Sequence, residues 1–244
     1  MNIKKHTPNA ITCCNLICGC IAVYYALQPK ADYNSALYFI IAGAVFDFFD
    51  GFSARLLKVS SPIGKELDSL ADDVTFGVAP AAIVFSLMCE IVPTVSGLGQ
   101  LSQFLPYVAF LIAAFSALRL AKFNLDERQS TQFIGLPTPA NTLFWASLAV
   151  GAHDVIVCQP AMLWLLLAGI LLSCWLLVAE IPMFALKFKH FRWSGNELRY
   201  CFIVASLVLL LLAGWTAFSA IIVLYILVSL TDNAVQRRRH TTMR

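Results

Sequence analysis

Four aspartates at two regular spacings are the residues of this chain whose types and positions are suited to chemistry. Asp47 and Asp50 lie three residues apart, and Asp68 and Asp72 lie four apart, so on helices each pair shares one face. Carboxylates that converge without histidine or cysteine are hard oxygen ligands, which suit Mg²⁺ or Mn²⁺. Paired divalent ions are a recurrent device of phosphoryl chemistry. The four aspartates therefore predict a metal site for that chemistry.

The surroundings of these aspartates argue against a purely structural role. Six of the fourteen acidic residues fall between Asp47 and Asp73, inside two strongly apolar segments. One carboxylate in the middle of a membrane helix costs about 2.5–3.5 kcal/mol to insert, and bound cations would offset that cost. Glu66 and Asp73 are better interpreted as solvated charges at a helix end.

The composition is that of a membrane protein. Of 244 residues, 59% are hydrophobic and only 13% charged, with a mean hydropathy of +0.76, whereas soluble domains carry about 25% charged residues. Apolar runs near spanning length predict an all-α integral membrane fold with about eight transmembrane helices. These runs are 10–27, 35–56, 69–88, 102–121, 139–157, 161–180, 199–213 and 216–231. The final two belong to one long run that Ala213–Thr216 divides into a hairpin.

The basic residues predict the orientation. With the amino terminus in the cytoplasm, sixteen of the seventeen Lys and Arg residues fall on inside segments and Lys30 alone lies outside. The positive-inside rule therefore predicts cytoplasmic amino and carboxyl termini. The net charge of +3 then indicates attraction to an anionic inner leaflet, not to nucleic acid. We expect a single membrane-embedded catalytic domain over 1–244, with a core at 5–184 and a carboxyl-terminal helical hairpin at 199–232.

Small and basic residues flank the aspartates. Gly51 and Ala54 follow Asp50 by one and four positions, and Gly64 precedes Asp68 by four. The lack of bulky side chains would let a nucleotide and its phosphates approach the backbone. Arg55 offers a cationic fork for phosphate or a base.

Together these residues form a pattern that resembles the signature of the CDP-alcohol phosphatidyltransferase family. The pattern D-x-x-D-G-x-x-A-R-x8-G-x3-D-x3-D is matched by Asp47, Asp50, Gly51, Ala54, Arg55, Gly64, Asp68 and Asp72. The resemblance implies a helical membrane enzyme in which the four aspartates hold two divalent cations, Mg²⁺ or Mn²⁺, that grip the pyrophosphate of a CDP-linked lipid. It also implies that Asp72 is the general base and that the protein is a homodimer.

Flanking segments resemble the phosphatidylserine synthase branch of that family. They comprise Pro8-Asn9 with Thr12, Asn15 and Gly19, then 68–81, 119–124 and 133–140. The resemblance implies CDP-diacylglycerol as donor and L-serine as acceptor, with phosphatidylserine and CMP as products. The expected CDP-lipid contacts are Thr12, Asn15, Gly51, Ala54, Arg55 and Gly64. The expected acceptor or phosphate contacts are Arg119, Lys122 and Asn124. Lys122 stands where the branch more often has Arg, and Thr75 where it more often has Ser.

Alternatives remain open at this point. The same chemistry could serve another acceptor, such as glycerol phosphate or inositol phosphate. A divalent-cation transporter would also carry intramembrane carboxylates, but polar residues should then follow both halves of a path. The predicted outer halves contain almost no acidic or polar residues apart from Asp32, Glu90 and Asp154, at loop ends. For an enzyme we expect a multi-pass protein of a prokaryotic inner membrane with its active site at the cytoplasmic face, since the acyl chains then stay among membrane lipids.

Overall fold

The computed structural model describes residues 3–59, 61–126, 133–183, 193 and 196–242, and this part of the chain is almost entirely helical. Its α-helices are α1 (Ile3–Ala26), α2 (Tyr33–Leu57), α3 (Pro62–Asp73), α4 (Ala79–Ile91), α5 (Leu111–Leu125), α6 (Thr138–Gly151), α7 (His153–Cys158), α8 (Met162–Val178), α9 (Glu197–Ala213) and α10 (Thr216–Thr242). The all-helical prediction is confirmed for the described residues, with one small exception.

That exception is a pair of two-residue strands. Strands β1 (Phe133–Ile134) and β2 (Pro182–Met183) pair antiparallel, with Phe133 opposite Met183 and Ile134 opposite Pro182. Two further backbone bonds extend the pairing, from the Gly135 amide to the Ile181 carbonyl and from the Leu136 amide to the Leu176 carbonyl, each 2.9 Å. We call residues 133–136 and 181–183 the clasp, because they join the start of α6 to the end of α8.

Tighter and wider helical turns connect the longer elements. A π-helical turn (Val74–Val78) joins α3 to α4, so that residues from Pro62 onward form one long helix that exceeds the predicted run 69–88. Three 3-10 turns, Val92–Thr94, Gly99–Gln103 and Leu105–Phe110, lead into α5.

Among the residues that the structure describes, five helical segments are long and apolar enough to cross a membrane, and these make the chain a multi-pass membrane protein. They are His6–Ala26, Tyr33–Leu57, Pro62–Thr94, Leu105–Leu125 and Thr216–Asn233, with Met162–Val178 as a shorter apolar helix. The predicted span 139–157 is divided, since α6 ends at Gly151 and the short α7 follows. The fourteen residues of α6 extend about 21 Å, less than the roughly 30 Å hydrocarbon core.

Local capping sets the reversal between α2 and α3. Lys58 caps the carboxyl end of α2, and its φ of 52° is left-handed. Ser61 caps the amino end of α3, where its hydroxyl accepts a 2.9 Å hydrogen bond from the Gly64 amide and Pro62 holds the first helical position. The chain therefore reverses within a few residues, which places the carboxyl end of α2 beside the amino end of α3.

The core lies around α4, whose residues Ala79 and Ala81–Val84 are almost completely buried. Close packing continues into the π-helical turn through two glycines. A Cβ at Gly19 would lie 2.4 Å from the Thr75 hydroxyl oxygen, and one at Gly43 would lie 2.7 Å from the Thr75 methyl carbon. Only glycine allows α1 and α2 to approach Thr75 this closely. The Thr75 hydroxyl donates a 3.1 Å hydrogen bond to the Asn15 carbonyl.

A polar network links the start of α2 with the end of α4 and the start of α7. His153 Nε2 lies 2.7 Å from Glu90 Oε2, and the Tyr33 hydroxyl donates to Glu90 Oε1 at 2.5 Å. All three residues line a cavity of about 940 Å³, whose walls also include Asp32 and Asp154. Burial alone would lower the pKa of His153, but its bonds to Glu90 and Asp154 outweigh that effect and raise it.

Helices α9 and α10 form the hairpin at the carboxyl end of the described chain. They are separated at Gly214, which has a positive φ of 54°, within the predicted break. Helix α10 packs along α6 and reaches the clasp. The position of α10 matters for the second of the cavities described below.

Candidate active site

Three aspartates from two helices meet at one point. Asp47 and Asp50 of α2 and Asp68 of α3 each place a carboxylate oxygen within 4.8 Å of the others. Asp72, one turn further along α3, lies within electrostatic range of Asp47 and Asp68. The structure therefore brings the two predicted pairs together, with Asp72 at the edge of the group of three.

Helix α1 supplies hydrogen-bond donors to this group. The Thr12 hydroxyl donates to Asp50 Oδ2 at 2.6 Å, and Asn15 Nδ2 donates to Asp72 Oδ1 at 3.0 Å. Thr12 and Asn15 are both buried, at 3% and 0% exposure. We expected both side chains to contact the CDP-lipid, but each has an aspartate partner. The i, i+3 spacing of Thr12 and Asn15 was the available signal for one shared helix face.

The donor set fits a divalent cation. Asp68 Oδ1 and Asn15 Oδ1 are buried and have no hydrogen-bond partner among the described residues. A buried oxygen without a partner costs about 1–3 kcal/mol. Several carboxylate oxygens with spare coordinating capacity are the ligands that Mg²⁺ and Mn²⁺ prefer. This aspartate cluster can therefore hold a metal ion.

A cavity of about 260 Å³ opens beside the cluster. Its walls include four of the residues predicted to contact the CDP-lipid, which are Thr12, Gly51, Ala54 and Gly64. A Cβ on Gly51 would have no neighbour within 4 Å, so this part of the wall is open. Asn9 and Lys65 also line the cavity, and sequence reasoning did not single them out for binding. Arg55 is exposed and donates through Nε to the Gly51 carbonyl at 3.0 Å.

A second cavity, of about 380 Å³, lies between α5 and the clasp, and we call it the α5–clasp cavity. Arg119 and Lys122 both line it, as does Ile134 of β1. Arg119 is only 7% exposed, and its Nε has no hydrogen-bond partner among the described residues. Asp72 lies within electrostatic range of the guanidinium, so Arg119 relates this cavity to the aspartate cluster, although none of the four aspartates lines it. A buried cation beside a cavity is suited to binding an anionic group.

Two other predicted residues have different surroundings from those expected. Asn124 donates to the Ser69 hydroxyl at 2.7 Å, and its carbonyl accepts from Lys65 Nζ at 3.1 Å, so it ties α5 to α3. Asp73 is partly buried, and its Oδ1 has no described partner. A Cβ at Gly77 would lie 2.6 Å from that oxygen, which shows how closely Asp73 is enclosed. The prediction of a solvated charge at Asp73 is therefore wrong, while Glu66 is exposed as expected.

The family model described as CDP-alcohol phosphatidyltransferase matches residues 5–180. This match covers most of the chain and contains every member of the aspartate cluster. The chain belongs to the CDP-alcohol phosphatidyltransferase family.

Comparison with curated relatives is more specific than the match to the family. The chain is similar to the CDP-diacylglycerol–serine O-phosphatidyltransferase of Bacillus subtilis, at 34% identity over 193 residues, which cover 79% of this chain and 95% of that protein. It is also similar to the proteins of the same name in Mycobacterium tuberculosis H37Rv (37% over 145 residues) and Saccharomyces cerevisiae (36% over 148 residues). Those alignments cover 56% and 55% of this chain and 46% and 50% of the relatives, or about half of each.

Proposed function

We propose that this protein transfers the phosphatidyl group of CDP-diacylglycerol to the hydroxyl of L-serine, giving phosphatidylserine and CMP. The observation that carries the proposal is the meeting of Asp47, Asp50 and Asp68 within 4.8 Å, beside a cavity that the glycines of the signature line. The names of the relatives support serine as the acceptor.

In this proposal Asp47, Asp50, Asp68 and Asp72 hold two divalent ions, Mg²⁺ or Mn²⁺. Bound there, such ions neutralise the pyrophosphate and stabilise charge on the transferred phosphoryl group. The cytidine and its phosphates would lie in the cavity between α1, α2 and α3, against Gly51, Ala54 and Gly64. Thr12 and Asn15 would act by holding Asp50 and Asp72 in place.

Asp72 is the proposed general base. It accepts the proton of the serine hydroxyl while that oxygen forms a bond to the lipid-side phosphorus. The bond from that phosphorus to the bridging oxygen breaks, and CMP leaves with that oxygen. Base catalysis of this kind contributes about 10²–10⁴-fold. Arg119 and Lys122 line the α5–clasp cavity, and Arg119 lies within electrostatic range of Asp72, which supports the proposal that these basic residues bind the serine carboxylate.

The membrane arrangement forms part of the proposal. We propose eight membrane crossings, with both termini and the aspartate cluster on the cytoplasmic side of a prokaryotic inner membrane. The residues 1–244 would form one catalytic domain, with the core at 5–184 and the hairpin at 199–232, and two copies would form a homodimer. Serine and CMP would then exchange with the cytosol while the acyl chains remain in lipid.

The test is an acceptor panel with purified protein in detergent. CDP-diacylglycerol is mixed with Mn²⁺ or Mg²⁺ and, separately, L-serine, glycerol phosphate, inositol phosphate or glycerol, and CMP is measured. We expect CMP release with serine and its loss after exhaustive chelation, with recovery when the metal is restored. Preferential release with another alcohol would replace serine as acceptor, and full activity after chelation would contradict the metal assignment.

A further inference from the structure

Helix α10 lies beyond residues 5–180, the segment that the family model matches, yet it supports the α5–clasp cavity. Asn233 Nδ2 donates a 2.6 Å hydrogen bond to the carbonyl of Pro182 in β2. Ile222 of α10 is buried in one apolar cluster with Leu136 and Met183 of the clasp. A side-chain bond and an apolar contact therefore attach α10 to both sides of the clasp.

The clasp that α10 contacts is part of the cavity wall. Tyr225 of α10 also packs in the apolar cluster with Leu136 and Met183. Ile134 of β1, within the clasp, lines the cavity together with Arg119. A wall segment that opens locally would leave the cavity poorly formed for an anionic acceptor.

We infer that α10 is a positioning element for the acceptor site: through Asn233 and its apolar residues it holds the clasp, which forms part of the wall of the α5–clasp cavity. This inference rests on the proposed function, in which Arg119 binds the acceptor. Asn233 is a positioning residue, since it acts through the clasp and has no contact with the aspartate cluster in the described structure. Changes in α10 should therefore alter acceptor binding and leave donor binding alone.

The closing experiment compares Asn233→Ala with Thr231→Val as a control two residues away on the same helix. Asn233→Ala removes the 2.6 Å hydrogen bond to the Pro182 carbonyl of the clasp. We expect Asn233→Ala to raise the KM for serine about 3- to 10-fold, as for loss of one hydrogen bond, with the KM for CDP-diacylglycerol unchanged. Thr231→Val should change neither. An unchanged KM for serine in Asn233→Ala, or equal changes in both KM values, would overturn the role of Asn233 in acceptor binding.

A second measurement follows the clasp without using turnover. Hydrogen–deuterium exchange at the Gly135 and Leu136 amides should be about 10-fold faster in Asn233→Ala, because local opening of the clasp becomes easier. Thr231→Val is the control, since Thr231 is exposed and bonds only to carbonyls of its own helix among the described contacts. Equal exchange in both variants would overturn the role of Asn233.

The two readouts separate this inference from the proposed function. If wild-type protein releases CMP with an alcohol other than serine, the choice of serine fails, and the same KM comparison is made with that alcohol. The exchange measurement stands in either case, because it requires no acceptor.

Discussion

Asn15 of α1 donates its side-chain amide to Asp72 of α3 across 3.0 Å, and this bond joins helices that lie 57 residues apart in sequence. The Asn15 backbone carbonyl accepts in turn from Thr75, in the π-helical turn just beyond Asp72. Helix α1 is therefore held at two points around the proposed base, and its buried polar residues serve the aspartates.

Replacing Asn15 with Leu should lower kcat for CMP release about 10- to 100-fold, as for other residues that orient metal ligands. The Asp72 carboxylate would lose its amide donor while a side chain of similar size fills the site. Steady-state kinetics with CDP-diacylglycerol and serine measure the effect. Ser86→Ala is the control, because it removes one interhelical bond, to the Ala26 carbonyl, away from the cluster. Similar losses in both variants would mean that any helix contact matters equally.

Asp68→Asn should reduce CMP release by more than about 100-fold and weaken Mn²⁺ binding, since a metal-ligand carboxylate becomes a neutral amide. The variant should remain folded in detergent, because Asp68 Oδ1 has no hydrogen-bond partner to lose among the described residues. Mn²⁺ electron paramagnetic resonance measures the binding without turnover. Glu66→Gln, at an exposed position of the same helix, is the matched control. Full turnover by Asp68→Asn would remove the residue from the proposed metal ligands.

Gly43→Ala should destabilise the protein by about 1–3 kcal/mol through overpacking. The added Cβ would meet the Thr75 methyl carbon at 2.7 Å and Asn15 Oδ1 at 2.9 Å. Thr75→Ser removes that methyl group, so the double variant should recover part of the lost stability. Thermal unfolding in detergent measures all three variants. Additive effects, with no recovery, would show that the contact with Thr75 is not the cause.

Stability should depend on pH through His153. Its pKa is raised in the folded protein, chiefly by the bond to Glu90 after the opposing effect of burial. The stabilisation is therefore fully present below the ordinary His value of about 6.5 and is lost as pH rises through the raised folded value. Glu90→Gln should lower Tm most at about pH 5.5–6 and least at alkaline pH. Asp154→Asn should have a smaller effect, because Asp154 is fully exposed. A Tm difference that does not vary with pH would contradict this assignment.

The spacing of the aspartates predicted the central contact correctly because helix periodicity decides which residues share a face. The i, i+3 and i, i+4 pairs needed only a tight reversal between α2 and α3, which Lys58, Ser61 and Pro62 provide. Sequence could not give the unequal placement of the four carboxylates, with Asp72 outside the group of three. That depends on how far α3 is rotated against α2.

Other features of the structure have no signal in the local sequence that would have predicted them. Strands of two residues, such as Phe133–Ile134, are too short for any alternation of side chains, so the clasp was not predicted. The division of the span 139–157 at Gly151 was not predicted either, nor was the close packing of Gly151 against Thr216. Asn124 matched a segment resembling related enzymes, but its bond to Ser69 arises from tertiary contact. Contacts between residues so far apart in sequence have no signal in local spacing.

The π-helical turn at Val74–Val78 changes how far α3 is rotated about the helix axis relative to α4. One residue of an α-helix corresponds to about 100° around its axis. Deleting a single residue from this turn while α4 stayed fixed in the core would swing Asp68 and Asp72 by about that angle, away from α2. The number of residues in this five-residue turn thus determines the direction in which the carboxylates of α3 point. Insertions and deletions within this turn should therefore impair the site, because they would turn both aspartates away from α2 at once.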